Sequence, residues 1–123
     1  MNKTNTILTT SLLFLCAQGA FACDYPARPS IPDGSTASKD ELLSAKASVQ
    51  KYMEDVDAYL TCIETAEKEA VAELDNPTEE ELQRRDDMIT KRFDAANEEK
   101  ALVGEQFNQQ IRAYNAKLQS NTE

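Results

Sequence analysis

The chain has 123 residues, 22 acidic against 13 basic side chains for a net charge of −9, three cysteines, and neither histidine nor tryptophan. Without histidine it can form no Ser–His or Cys–His catalytic pair, no imidazole-ligated zinc site, no C-x-x-C-H haem attachment and no Glu-x-x-His di-iron motif. So acidic a chain is repelled by nucleic acid and by anionic lipid, and its three glycines form no phosphate-binding loop.

Residues 1–22 read as a signal peptide. Lys3 gives a positive start, Ile7 to Ala17 form a mostly apolar run, and Ala20-Phe21-Ala22 is a small-x-small cleavage site. With Thr9, Thr10 and Ser11 inside it, the run is too short and too polar to span a bilayer. Cleavage after Ala22 would leave 101 residues beginning at Cys23, one small domain, and losing Lys3 would take the charge from −9 to −10. No membrane insertion is expected after cleavage, and no nucleic-acid partner.

Cys16 would leave with the signal, so Cys23 and Cys62 remain. An even pair in an oxidising compartment points to a disulfide. The competing reading is acylation of Cys23, as the first residue of a lipoprotein tethered to the outer membrane. Ala20-Phe21-Ala22-Cys23 makes a poor lipobox, with no Leu three residues before the cysteine and a bulky Phe21, and acylation would strand Cys62 as a free thiol. No C-x-x-C motif exists for thiol-exchange catalysis.

Residues 23–37 read as an extended arm. Pro26, Pro29 and Pro32 recur every third residue, which favours polyproline II and excludes helix. Pro32-Asp33-Gly34-Ser35 should be a turn, with Gly34 supplying a positive φ. A helix is expected over 38–75, opened by a Ser38/Glu41 capping box. Its apolar or small residues at Leu42, Ala45, Val49, Tyr52, Val56, Tyr59, Ile63, Ala66 and Ala70 step by three and four, the seam of a helix packed lengthwise on another. Asp75-Asn76-Pro77 should end it, with Asn76 capping a second helix over 77–118 whose first turn carries Glu79, Glu80 and Glu81. Its stripe (Leu82, Ile89, Phe93, Ala96, Val103, Phe107, Ile111, Tyr114, Leu118) is less regular, and Gly104 inside it suggests close packing. The hairpin should close by residue 119, and 120–123 should fray.

So short a turn forces the helices antiparallel, giving an all-α hairpin of coiled-coil type with an extended N-terminal arm held by one disulfide. Pairing outward from the turn sets Lys100 level with Met53 and Val56, within reach of Asp55 or Asp57. The arm is long enough to run back to Cys62: 15 steps of polyproline reach ~47 Å, against ~35 Å along the helix. The small residues Ser44, Ser48, Ala58 and Thr65 on the Cys62 flank offer it a bed. On the opposite flank Met53, Leu60 and Leu74 widen the apolar stripe into a candidate interaction strip, with Val71 and Leu102 near it, unless the helices rotate to bury these residues. The carboxylates Glu54, Asp55 and Asp57, and Glu64, Glu67 and Glu69, raise the alternative of a metal- or carboxylate-dependent enzyme. Their interleaving with Lys51 and Lys68 reads instead as a solvated face, so neither a catalytic residue nor a bound metal or cofactor is expected.

Pro32-Asp33-Gly34-Ser35, Tyr52, Tyr59-Leu60-Thr61-Cys62-Ile63-Glu64, Phe107-Asn108 and Ala113-Tyr114 together resemble a family of small exported helical proteins of Gram-negative bacteria. In that family a PDG turn precedes a helix bearing a Y-L-x-C-[IL] motif, and a second cysteine lies near the mature N-terminus. The expected compartment is the periplasm, and the resemblance implies an exported helical hairpin stapled through Cys23 and Cys62. It supplies neither a substrate nor a catalytic residue. The expected role is a non-catalytic structural or protein-interaction module, acting on a protein partner or on a second copy through a helix face.

Overall fold

A computed structural model of the chain describes residues 23–121, so the expected signal peptide and the last two residues lie outside the described residues. The chain forms two helices, α1 (Lys39–Ala72) and α2 (Glu79–Ser120), packed against each other as an antiparallel hairpin, with no strand among the described residues. Ser38 caps α1 as expected. Its Oγ accepts from the Glu41 N–H while its own N–H donates to Glu41 Oε2, satisfying two donors that the first turn leaves open.

The turn is longer than expected. α1 ends at Ala72 rather than near Asp75, and α2 starts at Glu79 rather than Pro77. Asn76 does not cap α2. It takes a positive φ of 50°, a conformation that asparagine tolerates better than most residues, and Thr78 caps instead by accepting from the Glu81 N–H. At its far end α2 stays helical through Ser120, with Asn121 as C-cap, so the helix outlasts the expected fraying point.

Burial is divided unequally between the two helices. Leu42, Ala45, Val49, Tyr52, Val56, Leu60 and Ile63 of α1 are buried, against Ala96 and Val103 of α2. The larger α2 residues Ile89, Phe93 and Phe107 are half-buried against this core. The arm packs on both helices, against Tyr52, Tyr59 and Cys62 of α1 and against Glu99, Gln110 and Lys117 of α2.

The arm runs back from Ser38 to Cys62, where the disulfide Cys23–Cys62 closes with the two Cα atoms 5.8 Å apart. It meets the small-residue bed only at its start, where Cys23, Asp24 and Pro26 lie beside Ala58, and Ser44, Ser48 and Thr65 are exposed. It lies instead along the groove between the helices, where Tyr25, Arg28, Gly34 and Ala37 meet partners on both. A groove between two helices offers an arm more apolar surface than the outer flank of one, and this decides its course.

Candidate interaction face

Each long face of the hairpin has its own character, and the arm makes the difference. On the arm-covered face Tyr25 packs edge-on to Tyr59 with ring centroids 5.0 Å apart, and its hydroxyl meets that of Tyr52 at 3.0 Å. Tyr52 is 3 % exposed, so burial, reinforced by the hydrogen bond to Tyr25, pushes its hydroxyl well above the ordinary phenol range. Arg28 pairs with Glu99 of α2 at 3.2 Å, extending the arm's hold to the second helix.

At the open end of the hairpin the arm is clamped a second time. The Gly34 N–H donates to Gln110 Oε1 at 2.9 Å, and Lys117 Nζ donates to the Ala37 carbonyl at 2.7 Å. Gly34 does not have a positive φ, contrary to expectation. It is glycine for another reason: a Cβ there would lie 1.8 Å from the Gln110 carbonyl oxygen. The turn is shaped by Asp33, whose Oδ1 accepts from both the N–H and the hydroxyl of Ser35. Those bonds hold the Asp33 carboxyl below its ordinary range, as Ser38 does for Glu41.

The opposite face has no such cover. By helical period, Lys46, Met53, Asp57, Glu64 and Val71 of α1 share this side with Leu82, Asp86, Phe93, Lys100, Gly104 and Ile111 of α2. Two apolar depressions lie along it. One, of about 640 Å³ near the tip of the hairpin, is floored by Val71, Leu82, Ile89 and Phe93 and rimmed by charge. The other, of about 360 Å³ near the open end, is formed by Leu42, Leu43, Phe107 and Ile111 with Lys39 and Lys46 on its rim. Between them Lys100 of α2 is ion-paired with Asp57 of α1, which decides between the two carboxylates expected to meet it. Beside this pair a Cβ on Gly104 would lie 3.6 Å from Met53 Cε, ordinary contact, so Gly104 is not required by close packing as expected.

The expected contact strip of Met53, Leu60 and Leu74 is therefore not an exposed surface. Leu60 is 8 % exposed and belongs to the core, while Met53 and Leu74 are half-buried. α2 rotates to cover Leu60, because burying a leucine stabilises the fold by ~2 kcal/mol relative to leaving it in water. What remains open on this side is the pair of depressions, whose floor comes largely from α2. Sequence reasoning assigned Ile89, Phe93 and Phe107 to the seam. Their partial exposure follows from how little α2 is covered on this side, which periodicity does not reveal.

The two carboxylate groups do not converge on a common point. Asp55 pairs with Lys51 at 2.7 Å and Glu64 with Lys68 at 2.8 Å, each one helical turn apart. Asp57 pairs with Lys100, and Glu67 takes both nitrogens of an Arg85 fork, at 2.6 and 3.3 Å. Among the described residues no group of three or more His, Cys, Asp or Glu side chains is placed to hold a metal ion. Among them too, no helix is long and apolar enough to cross a membrane. No family model, no curated protein and no solved structure matches the chain.

Proposed function

We propose that the protein is an exported, periplasmic, non-catalytic module that binds another protein through its uncovered face. The observation that carries this reading is the inequality of the two faces. The N-terminal arm occupies one groove, where a depression of about 350 Å³ remains beside Tyr25, Arg28 and Glu99, whereas no element of the chain covers the other groove, which holds depressions of about 640 and 360 Å³. Apolar ground left uncovered on a small domain is a common mark of an interaction site. The signal-like residues 1–22 and the cysteine pair support export, since structural disulfides persist in oxidising compartments. The lipoprotein alternative needs the Cys23 sulfur, which is bonded to Cys62, so intact mass separates the two forms. A loss of two hydrogens per chain supports the soluble module, and added acyl mass overturns it.

Site-specific photo-crosslinking in the periplasm tests the reading itself. A photoreactive residue at Thr90, on the rim of the tip depression, should give protein adducts. The same residue at the exposed Thr65, behind α1, should give none. Equal labelling at both positions, or no adduct at Thr90, overturns the assignment of the face.

A further inference from the structure

The uncovered face has a symmetry and a charge distribution that together point to one occupant. The α1 residues around the tip depression run from Glu64 to Val71, and those around the open-end depression from Lys39 to Lys46. Their inner edges each lie nine residues from Asp55, and their outer edges are equally balanced about it. On α2 the corresponding stretches, Leu82–Phe93 and Phe107–Asn115, are centred within about two residues of Lys100. A two-fold axis crossing the hairpin near the Asp57–Lys100 pair would therefore superpose one depression on the other.

The charges favour this antiparallel superposition over a parallel one. Residues 64–90, the tip end, hold ten acids against three bases, a net of −7. Residues 33–51 and 103–121, the open end, hold four acids against five bases, a net of +1. Lys39 and Lys46, on the rim of the open-end depression, form no ion pair with a described residue. The rim of the tip depression carries Glu64, Glu67 and Asp86 against Lys68 and Arg85, and because Glu64 pairs with Lys68 and Glu67 with Arg85, its excess charge is the one negative charge of Asp86. Two copies aligned tip to tip would set −7 against −7, whereas copies aligned tip to open end set −7 against +1, twice.

We infer that the uncovered face is the interface of an antiparallel homodimer, in which the tip of one hairpin lies over the open end of the other and four helices close around a shared core. This rests on the proposed interaction role and names the partner as a second copy of the chain. α1 stacks on α1 and α2 on α2, running in opposite directions. Lys46 of one copy falls opposite Glu64 of the other, because the two positions are mirrored about Asp55. The two Asp57–Lys100 pairs meet near the axis, where a polar group between apolar depressions fixes the register. The available area is sufficient. A face ~50 Å long and two helices wide offers on the order of 1,000 Å² per copy, against ~800 Å² per partner in a stable interface of standard size.

Sedimentation equilibrium of the mature, oxidised protein tests this, with charge reversals at two exposed positions. The wild type should dimerise. K46E and E64K should each weaken it on the order of tenfold, since each creates two like-charge contacts per dimer. Mixed in equal amounts, the two variants should associate at least as tightly as the wild type, because one then presents only acids and the other only bases at these contacts. Far-UV circular dichroism and the thermal midpoint confirm that each variant is folded. A monomer under every condition overturns the inference, as does a mixture no tighter than either variant alone. Thr90 adducts to a different protein from a monomeric chain would also overturn it while leaving the interaction role intact. The absence of any adduct would remove both.

Discussion

The two faces of the hairpin solve the same problem in opposite ways. Two helices alone bury one side of each, and a domain this small gains too little from that alone to be secure. On one face the chain supplies its own third element, an arm fixed at Cys62 and clamped again at Gln110 and Lys117. On the other it supplies nothing, and Phe93, Ile89 and Phe107 stay half-buried. The difference teaches that α1 and α2 are not equivalent partners. α1 is a central strut with seven buried residues, whereas α2 is a cover with two, exposed where the arm does not reach.

The comparison can be broken most forcefully at the disulfide. Replacing both Cys23 and Cys62 with serine should cost ~4 kcal/mol in urea denaturation, the chain-entropy value for a loop of this length. Hydrogen exchange should show the loss concentrated around Tyr25 and Tyr52, making the two faces alike. Next in size is Gly34→Ala, which drives a methyl group into the Gln110 backbone and should cost roughly 2–3 kcal/mol. The same change on the uncovered side has the opposite sign. Gly104→Ala meets only Met53 at ordinary contact and should raise stability by ~0.5–1 kcal/mol, read as a higher thermal midpoint. A pair of glycines in one small domain would then report which face is closely packed and which is open.

The smallest effect is local and depends on pH. Asp33 and Glu41 have their carboxyls held below the ordinary range by Ser35 and Ser38, so the folded state favours their ionised forms. The stability they lend is present above the unfolded carboxyl range of ~4 and is lost as pH falls through the lower folded values. Protection factors at the Ser35, Ser38 and Glu41 amides, each taken relative to the intrinsic rate at that pH, should therefore fall on acidification before those of the helix centres respond. If those three amides keep step with Val56, the clamp is not an independent unit.

Much of the architecture was legible in the sequence because it depends on local rules. The Ser38/Glu41 box, the three-four seam from Leu42 to Ile63 and the absence of Pro or Gly across α1 all act within a few residues. The Cys23–Cys62 bond was legible too, because reach along a polyproline arm can be compared with rise along a helix. What escaped was decided by contacts distant in sequence. Leu60 sits two residues from Cys62, and its period alone does not say whether α2 turns toward it. Gly34 looks like an ordinary turn glycine until Gln110, 76 residues away, is brought against it. The expected strip meets this face at Met53, with Val71 beside it, whereas Leu60 is in the core; the α2 residues Leu82, Ile89, Phe93, Phe107 and Ile111 line the same depressions.

The clamp at Gly34 and Ala37 also changes where the molecule can come apart. An isolated helical hairpin has one closed end and one that frays. Here the open end is tied by contacts spanning 76 and 80 residues, so both ends are held. The weakest place then becomes the tip, where Glu73 to Thr78 carry few buried side chains and Asn76 sits at positive φ. Local opening should begin there, and a protease should cut there first. The two products would differ in kind. The N-terminal piece would keep its arm through an internal cross-link, and the C-terminal piece would be a single helix with no covalent tie, held by packing and by its hydrogen bonds and ion pairs to α1 and the arm. A nicked molecule of this design would fail by shedding α2 whole, exposing all of the core at once.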